Sequence, residues 1–246
     1  MKLINESAFK HLSVKLPMLG AFLMVVLIPA LQWALDFQVI PKEYESVLIG
    51  VVLPLLALIG RKIYQPSLHN VNQFVTVTAG HSNVDPGAVN GKFKEAELVA
   101  KFRNAVASYL RAAGVEYKTD GVGTNNENLN TAIKLIKGSE VAVEFHMNAA
   151  VNKLAYGIET IALPKDKKLA QDLSKVVAKA FNSKLRGDAG WIDQSQSARG
   201  KLGFISAGGL IVELGFISNE VELQTFNEKY WLAARDVADV LIHYMK

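Results

Sequence analysis

The sequence predicts an α/β fold, a mostly parallel sheet with helices on both faces, preceded by an all-α transmembrane hairpin. Three observations carry that expectation. Residues 1–62 contain two long uncharged apolar runs. From residue 74 onward, short β-branched or apolar runs alternate with amphipathic stretches of helical period, as in strands joined by crossover helices. Glycine or polar residues bound each strand-like run, which fixes its ends. With 246 residues, the chain has room for one well-buried domain and something smaller.

The hairpin comes first. LPMLGAFLMVVLIPALQWAL (16–35) is free of charge and long enough to cross a bilayer as a helix. SVLIGVVLPLLALIG (46–60) is shorter and ends at Arg61-Lys62; alone it would read as a buried core helix, and its place just after the first run makes it a second span. Pro29 and Pro54 are tolerable in membrane helices. The first run exceeds a signal-peptide core, no small-residue cleavage pattern follows it, and Trp33 suits an interfacial anchor. Lys2, Lys10 and Lys15 precede the first run, while the connector carries Lys42 against Asp36, Glu43 and Glu45. That bias predicts an inner-membrane protein with both ends, and everything after the second run, on the cytoplasmic side. A lipid bilayer is therefore an expected partner. Residues 63–73, IYQPSLHNVNQ, read as a linker to a second domain over 74–246.

Within that domain the strand signals are Phe74–Thr78, Val141–Phe145, Gly157–Leu163 and Leu210–Leu214. The helical signals are Lys94–Ala113, Glu127–Lys137, Lys167–Asn182 and Tyr230–Tyr244. The first helix places Leu98, Val99, Phe102, Val106 and Leu110 on one face and stops at Gly114. In parallel sheets ligands bind beyond the carboxyl ends of the strands. His81 follows the first strand, His146 ends VAVEFH, and Glu213 lies near the end of GLIVELG.

The absence of cysteine excludes disulfides, thiolate ligands and a cysteine nucleophile. A net charge of +4 with scattered lysines, and no basic stripe interleaved with aromatics, makes no case for nucleic acid. A metal site must therefore use imidazole and carboxylate. Catalytic zinc takes three protein ligands and keeps a fourth position for water. His81 and His146 are the histidines at strand ends, and for the carboxylate Glu95 competes with Glu97. Glu95 shares a helical face with Leu98, Val99 and Phe102 and points to the sheet; Glu97 shares its face with Lys101 and Asn104 and points to solvent. Taken singly, each residue has a bland reading as a cap, a first-turn carboxylate or a satisfied core histidine. Glu213 resists one, because an ionised carboxylate inside IVELGF is costly unless paired or functional. Asn148 and the loop over 186–204, with Trp191 and Arg199, are further candidates for lining a substrate groove.

AGHSNVDPGAVNGKFKEAEL, VEFHMNA, GIETIAL and GLIVELGFISNEVE, in that order, resemble the zinc-dependent N-acetylmuramoyl-L-alanine amidases of the autolysin type. The resemblance implies Zn²⁺ as cofactor, peptidoglycan as substrate, His81, Glu95 and His146 as zinc ligands and Glu213 as the catalytic glutamate. It also names the bond, the amide between the lactyl group of N-acetylmuramic acid and L-alanine. Ser82 and Glu144 depart from the family, which frequently has glycine and serine there. VLPLLALIGRKIYQPSL resembles small phage holins, so the whole chain reads as a phage or prophage endolysin for host lysis. A bacterium's own membrane-anchored wall-remodelling amidase, or a non-catalytic wall-binding membrane protein, are the alternatives.

Overall fold

Six short runs of the chain form one sheet: β1 (Val75–Ala79), β4 (Tyr117–Thr119), β5 (Val141–Asn148), β6 (Glu159–Ala162), β7 (Trp191–Asp193) and β8 (Leu210–Phe216), in the order β4-β1-β5-β8-β6-β7. A separate two-stranded ribbon is made by β2 (Val89–Asn90) and β3 (Phe93–Lys94). The helices are α1 (Glu95–Ala112), α2 (Leu129–Ile136), α3 (Lys167–Phe181), the short α4 (Gly203–Ser206) and α5 (Glu220–Tyr244). This computed structural model describes residues 73–197 and 200–245, with scattered positions between 22 and 56.

The chain divides into two compact units, Met1–Val71 and Asn72–Lys246. In the first, the described residues include a π-helical turn at Leu48–Val52. Most of the expected spans 16–35 and 46–60, their flanking charges and most of the linker lie outside the described residues. Among the described residues no helix is long and apolar enough to cross a membrane.

The sheet is parallel from β4 through β8, and β6 then runs antiparallel to β8 with β7 parallel to β6. The expectation of a mostly parallel sheet holds, with one reversal that its apolar run could not announce. Strand residues alternate faces, and the two faces carry separate cores. Val75, Val77, Val143, Phe145 and Val212 pack against α1, α3 and α5 in one cluster. Ala142, Ile161 and Ile211 pack against α2 and α4 in the other. Helices therefore cover both faces.

The order fixes where a site can form. From β1 the chain crosses through α1 to β4 on one side, and from β4 through α2 to β5 on the other. From β5 the chain goes on to β6, on the far side of β8, so adjacent strands β1 and β5 send their outgoing connections in opposite directions along the sheet. That divergence opens a crevice at their carboxyl ends, with His81 just past the end of β1 and His146 near the end of β5.

Local reasons for the elements are plain in most cases. Asn128 caps α2 by accepting from the Thr131 amide, and Asn219 caps α5 by accepting from Val221 and Glu222. That second cap explains why α5 starts at Glu220 rather than at Tyr230: Leu223 and Phe226 are buried and extend the apolar face through a polar-looking segment. α3 ends at Asn182 in the left-handed region, a conformation asparagine tolerates.

Candidate metal centre and active site

His81 sits two residues past β1 with φ at 68°, a left-handed conformation uncommon outside glycine and frequent at functional sites. The strand end that carries it is pinned from behind. Arg103, fully buried on α1, donates from Nη1 to Asp120 (2.9 Å) and to Asn126 (3.0 Å). Asp120 accepts from the Ala79 amide, and Asn126 Nδ2 donates to the Gly80 carbonyl at 2.9 Å.

Glu95 is the first residue of α1 and is almost wholly buried, whereas the Glu97 side chain is 64% exposed and paired with Lys94. Of the two glutamates, Glu95 is therefore the one turned toward the histidines. Glu95 Oε2 lies 2.9 Å from His81 Nε2, and Glu95 Oε1 lies 3.0 Å from His146 Nδ1. Backbone amides of Ala88 and Met147 donate to the same carboxylate and hold it in place. His81, Glu95 and His146 can each offer one ligand atom within 4.8 Å of the others, so a single ion has room to meet all three.

Two glycines make the convergence possible. A Cβ on Gly80 would stand 2.1 Å from His146 Cε1. A Cβ on Gly87, where φ is +65°, would stand 2.6 Å from the His81 ring and 2.8 Å from Glu95 Oε2. Both imidazoles therefore lie against bare backbone.

Register places the remaining groups. β5 continues to Asn148 with an irregularity after His146, so His146 lies inside the strand rather than at its end. His146 pairs with Glu213 on β8, and Glu213 pairs with Glu159 on β6. Register partners share a face, so His146, Glu213 and Glu159 form a row at the top of the α2–α4 face. Glu144, two residues before His146, is on that face too. Glu144 Oε1 approaches His146 Nε2 at 3.1 Å. Glu159 binds Arg186 Nε at 2.5 Å and accepts from Asn148 Nδ2 at 2.9 Å.

Of the residues expected from sequence, His81, Glu95, His146, Glu213 and Asn148 are thus brought to one edge. Trp191 stands elsewhere, on the edge strand β7. It pairs with Thr160, which pairs with Val212 on the opposite face, and its indole donates to the Ala162 carbonyl. Packing beside α3 explains that aromatic side chain. Arg199 lies outside the described residues. Sequence reasoning had not singled out Glu159 or Arg103 for the site; the ETI run and the VEFH run were the available signals for Glu159 and Glu144.

Electrostatics make the crevice a seat for a cation. Burial alone would lower the His146 pKa, but the hydrogen bonds its ring donates to Glu144 and Glu95 and the charges of Glu144 and Glu213 raise it to about 10. His81 is also raised, against burial, by Glu95 and Asp85. Burial works to raise Glu95, yet its contacts with His146 and His81 hold it well below the usual carboxylate range. What draws a proton onto these imidazoles also draws a metal ion, which competes for the same lone pairs. The fit has a further sign: buried His81 Nε2 makes no properly directed hydrogen bond, despite its 2.9 Å approach to Glu95.

An open cavity of about 340 Å³ adjoins the centre, lined by His81, His146 and Glu144 and walled by Leu202, Phe204 and Ile211. A larger hollow of about 560 Å³ lies beside α1 among Lys94, Lys101 and Asn104. It contains neither imidazole, so the smaller cavity is the one joined to the chemistry.

These observations define a class: an α/β protein with a His-Glu-His cluster at the switch point of its sheet. The comparisons narrow it. A family profile described as N-acetylmuramoyl-L-alanine amidase matches residues 75–243, and the chain belongs to that family. It is 46% identical to a Neisseria meningitidis protein described as an N-acetylmuramoyl-L-alanine amidase, over 69% of this chain and 94% of that one, with a TM-score of 0.65. The catalytic domain of CwlV, an N-acetylmuramoyl-L-alanine amidase from Bacillus (Paenibacillus) polymyxa var. colistinus, is similar at 23% identity over 70% and 97%, with a TM-score of 0.61. The catalytic domain of CD27L, an endolysin targeting Clostridia difficile, is similar at 14% identity over 70% and 96%, with a TM-score of 0.52. Those last two likenesses establish the shared fold. Among curated proteins, none matches the chain.

Proposed function

We propose that the chain is a zinc-dependent peptidoglycan hydrolase that cleaves the amide joining the lactyl group of N-acetylmuramic acid to L-alanine. One observation carries the reading: His81 Nε2 and His146 Nδ1 converge on the two oxygens of Glu95, at 2.9 and 3.0 Å, in a chain of the amidase family. Two imidazoles and one carboxylate are a donor set that suits catalytic zinc and leaves a fourth position open. A zinc ion bound there supplies a water with its pKa lowered to about 7 and a positive charge for the amide carbonyl oxygen.

The protein's own groups do the rest. Glu95, held ionised by its contacts, remains a carboxylate ligand throughout. Glu213, buried beside His146 in register, accepts the proton of the attacking water and later delivers one to the departing amine of L-alanine. The cavity walled by Leu202, Phe204 and Ile211 receives the substrate next to these groups. Asn148 steadies Glu159 at the end of the same row.

The test is the bond itself. Mass spectrometry of digested cell walls is expected to show stem peptides with a free L-alanine amine and intact glycan strands. Chelation is expected to abolish their release and added zinc to restore it. Cleavage at another bond, or release untouched by chelation, refutes the reading.

The apolar runs at 16–35 and 46–60 support a finer proposal: the first unit tethers the hydrolase to a bilayer and releases it to the wall during phage-driven lysis. On this reading the catalytic unit waits on the cytoplasmic side of the inner membrane. A reporter active only in the periplasm, fused to the C-terminus, is expected to stay silent until lysis. Signal before lysis refutes that placement and favours an anchored wall-remodelling amidase.

A further inference from the structure

Glu144 is 3% exposed on a central strand, where an ionised carboxylate is costly unless it is well partnered. It stands two residues before His146, and that spacing puts both side chains on one face of β5. Its Oε1 lies 3.1 Å from His146 Nε2, and Thr78 Oγ1 lies 3.4 Å from its Oε2. Thr78 is its cross-strand partner in register. The His146 ring therefore has a carboxylate at each nitrogen, Glu95 at Nδ1 and Glu144 at Nε2.

The two nitrogens are not equivalent. Glu95, which faces Nδ1, also faces His81 Nε2. A single ion shared by the three residues must lie on the Nδ1 side. Nε2 points away from that shared space, toward Glu144.

We propose that Glu144 is a positioning residue for the metal centre: it accepts the Nε2–H of His146, fixes the tautomer whose bare Nδ1 lone pair faces the ion, and holds the ring plane toward Glu95. The inference rests on the metal-centre reading above. A carboxylate behind a ligating imidazole also raises its basicity and so its hold on the ion. The other imidazole is arranged alike: His81 Nδ1 lies 3.0 Å from Asp85 Oδ2, which leaves Nε2 to face Glu95. The two outer carboxylates differ in setting. Asp85 is 62% exposed at its side chain, while Glu144 is screened from water. Glu144 therefore carries the greater part of the orienting effect.

The test measures metal affinity rather than turnover. Full-length protein in detergent is stripped with a chelator and titrated with Zn²⁺ against a chromogenic competitor, as parent, Glu144→Ala and Glu144→Gln. Glu144→Ala is expected to bind zinc about 10–100-fold more weakly, the usual cost of losing such an orienting partner. Glu144→Gln keeps an acceptor at the same reach and is expected to fall between the two. Cobalt substituted into the site is expected to show visible bands shifted in Glu144→Ala, a change that a purely structural role would not produce. Circular dichroism verifies folding, and if Glu144→Ala does not fold, the decision passes to Glu144→Gln against the parent. Folded variants with the parent's affinity and the parent's cobalt spectrum overturn the inference. A parent that binds no divalent ion overturns the metal centre itself, and this inference with it.

Discussion

Gly80→Ala isolates the geometry of the centre from its chemistry. The substituted residue is no ligand, and Gly80 is not among the glycines at positive φ, so alanine imposes no backbone strain. The added Cβ would lie 2.1 Å from His146 Cε1, 2.3 Å from Nε2 and 2.5 Å from Nδ1, where ordinary contact begins at 3.4 Å. The ring must retreat by about 1.3 Å, and a misplacement near 1 Å costs about 100-fold in rate when it disturbs a reacting geometry. Stability should suffer less, since overpacking of this kind costs about 1–3 kcal/mol, or some 2–4 °C in melting temperature per kcal/mol for a unit of this size. The assay is stem-peptide release from purified walls, with zinc titration and thermal denaturation of the same preparations. A folded Gly80→Ala protein with parental zinc affinity and release rate would show that His146 does not need its present position, and the centre as described would fail.

Glu213→Gln should keep its fold and its zinc content while release of stem peptides falls about 100- to 10,000-fold, the range for a lost acid–base group; parental turnover removes Glu213 from its role. Arg103→Met leaves Asp120 buried without its cation, which should cost about 3–5 kcal/mol in a urea titration, and a loss under about 1 kcal/mol would mean that the pair does not brace the His81 strand end. For the chelated protein the folded His146 pKa, about 10, exceeds its unfolded value of 6.5, so its stabilising share is full below pH 6.5 and drains away as pH rises toward 10. Glu95 acts with the opposite sign, its share being present above its unfolded value of 4.5 and lost as pH falls below it. Melting temperatures of the metal-free protein should therefore peak between those two values, and a metal-free melting temperature that climbs from pH 6.5 to 9 contradicts the pairing.

The centre was legible where chemistry and periodicity agreed. A histidine after a strand and a glutamate on the apolar face of the following helix can be found without coordinates, and burial separates Glu95 from Glu97 as the helical face had indicated. The edges of the sheet were not legible. β4 and β7 are three residues each, YKT and WID, too short for any period to show. The reversal at β6 is also silent, because ETIA has the same apolar character in either direction. For Trp191 the sequence shows an aromatic in a long polar stretch, and only register reveals which face it takes. The partners of Arg103, Asp120 and Asn126, lie 17 and 23 residues away, a pairing that no local pattern encodes.

The charges at this edge are those of a site suited to a cation. Glu159 is answered by Arg186, but around the two imidazoles stand Glu95, Glu144 and Glu213, all buried. Burying three carboxylates together is unfavourable unless positive charge accompanies them. The chain has two ways to supply it. Both imidazoles can take protons, which is what their raised pKa values express, or one divalent ion can replace those protons. The second state should be entered with proton release, so calorimetric enthalpies of zinc binding at neutral pH should vary with the ionisation enthalpy of the buffer. Enthalpies identical in phosphate and in Tris would mean that no proton leaves, and that the imidazoles were not carrying the charge this edge requires.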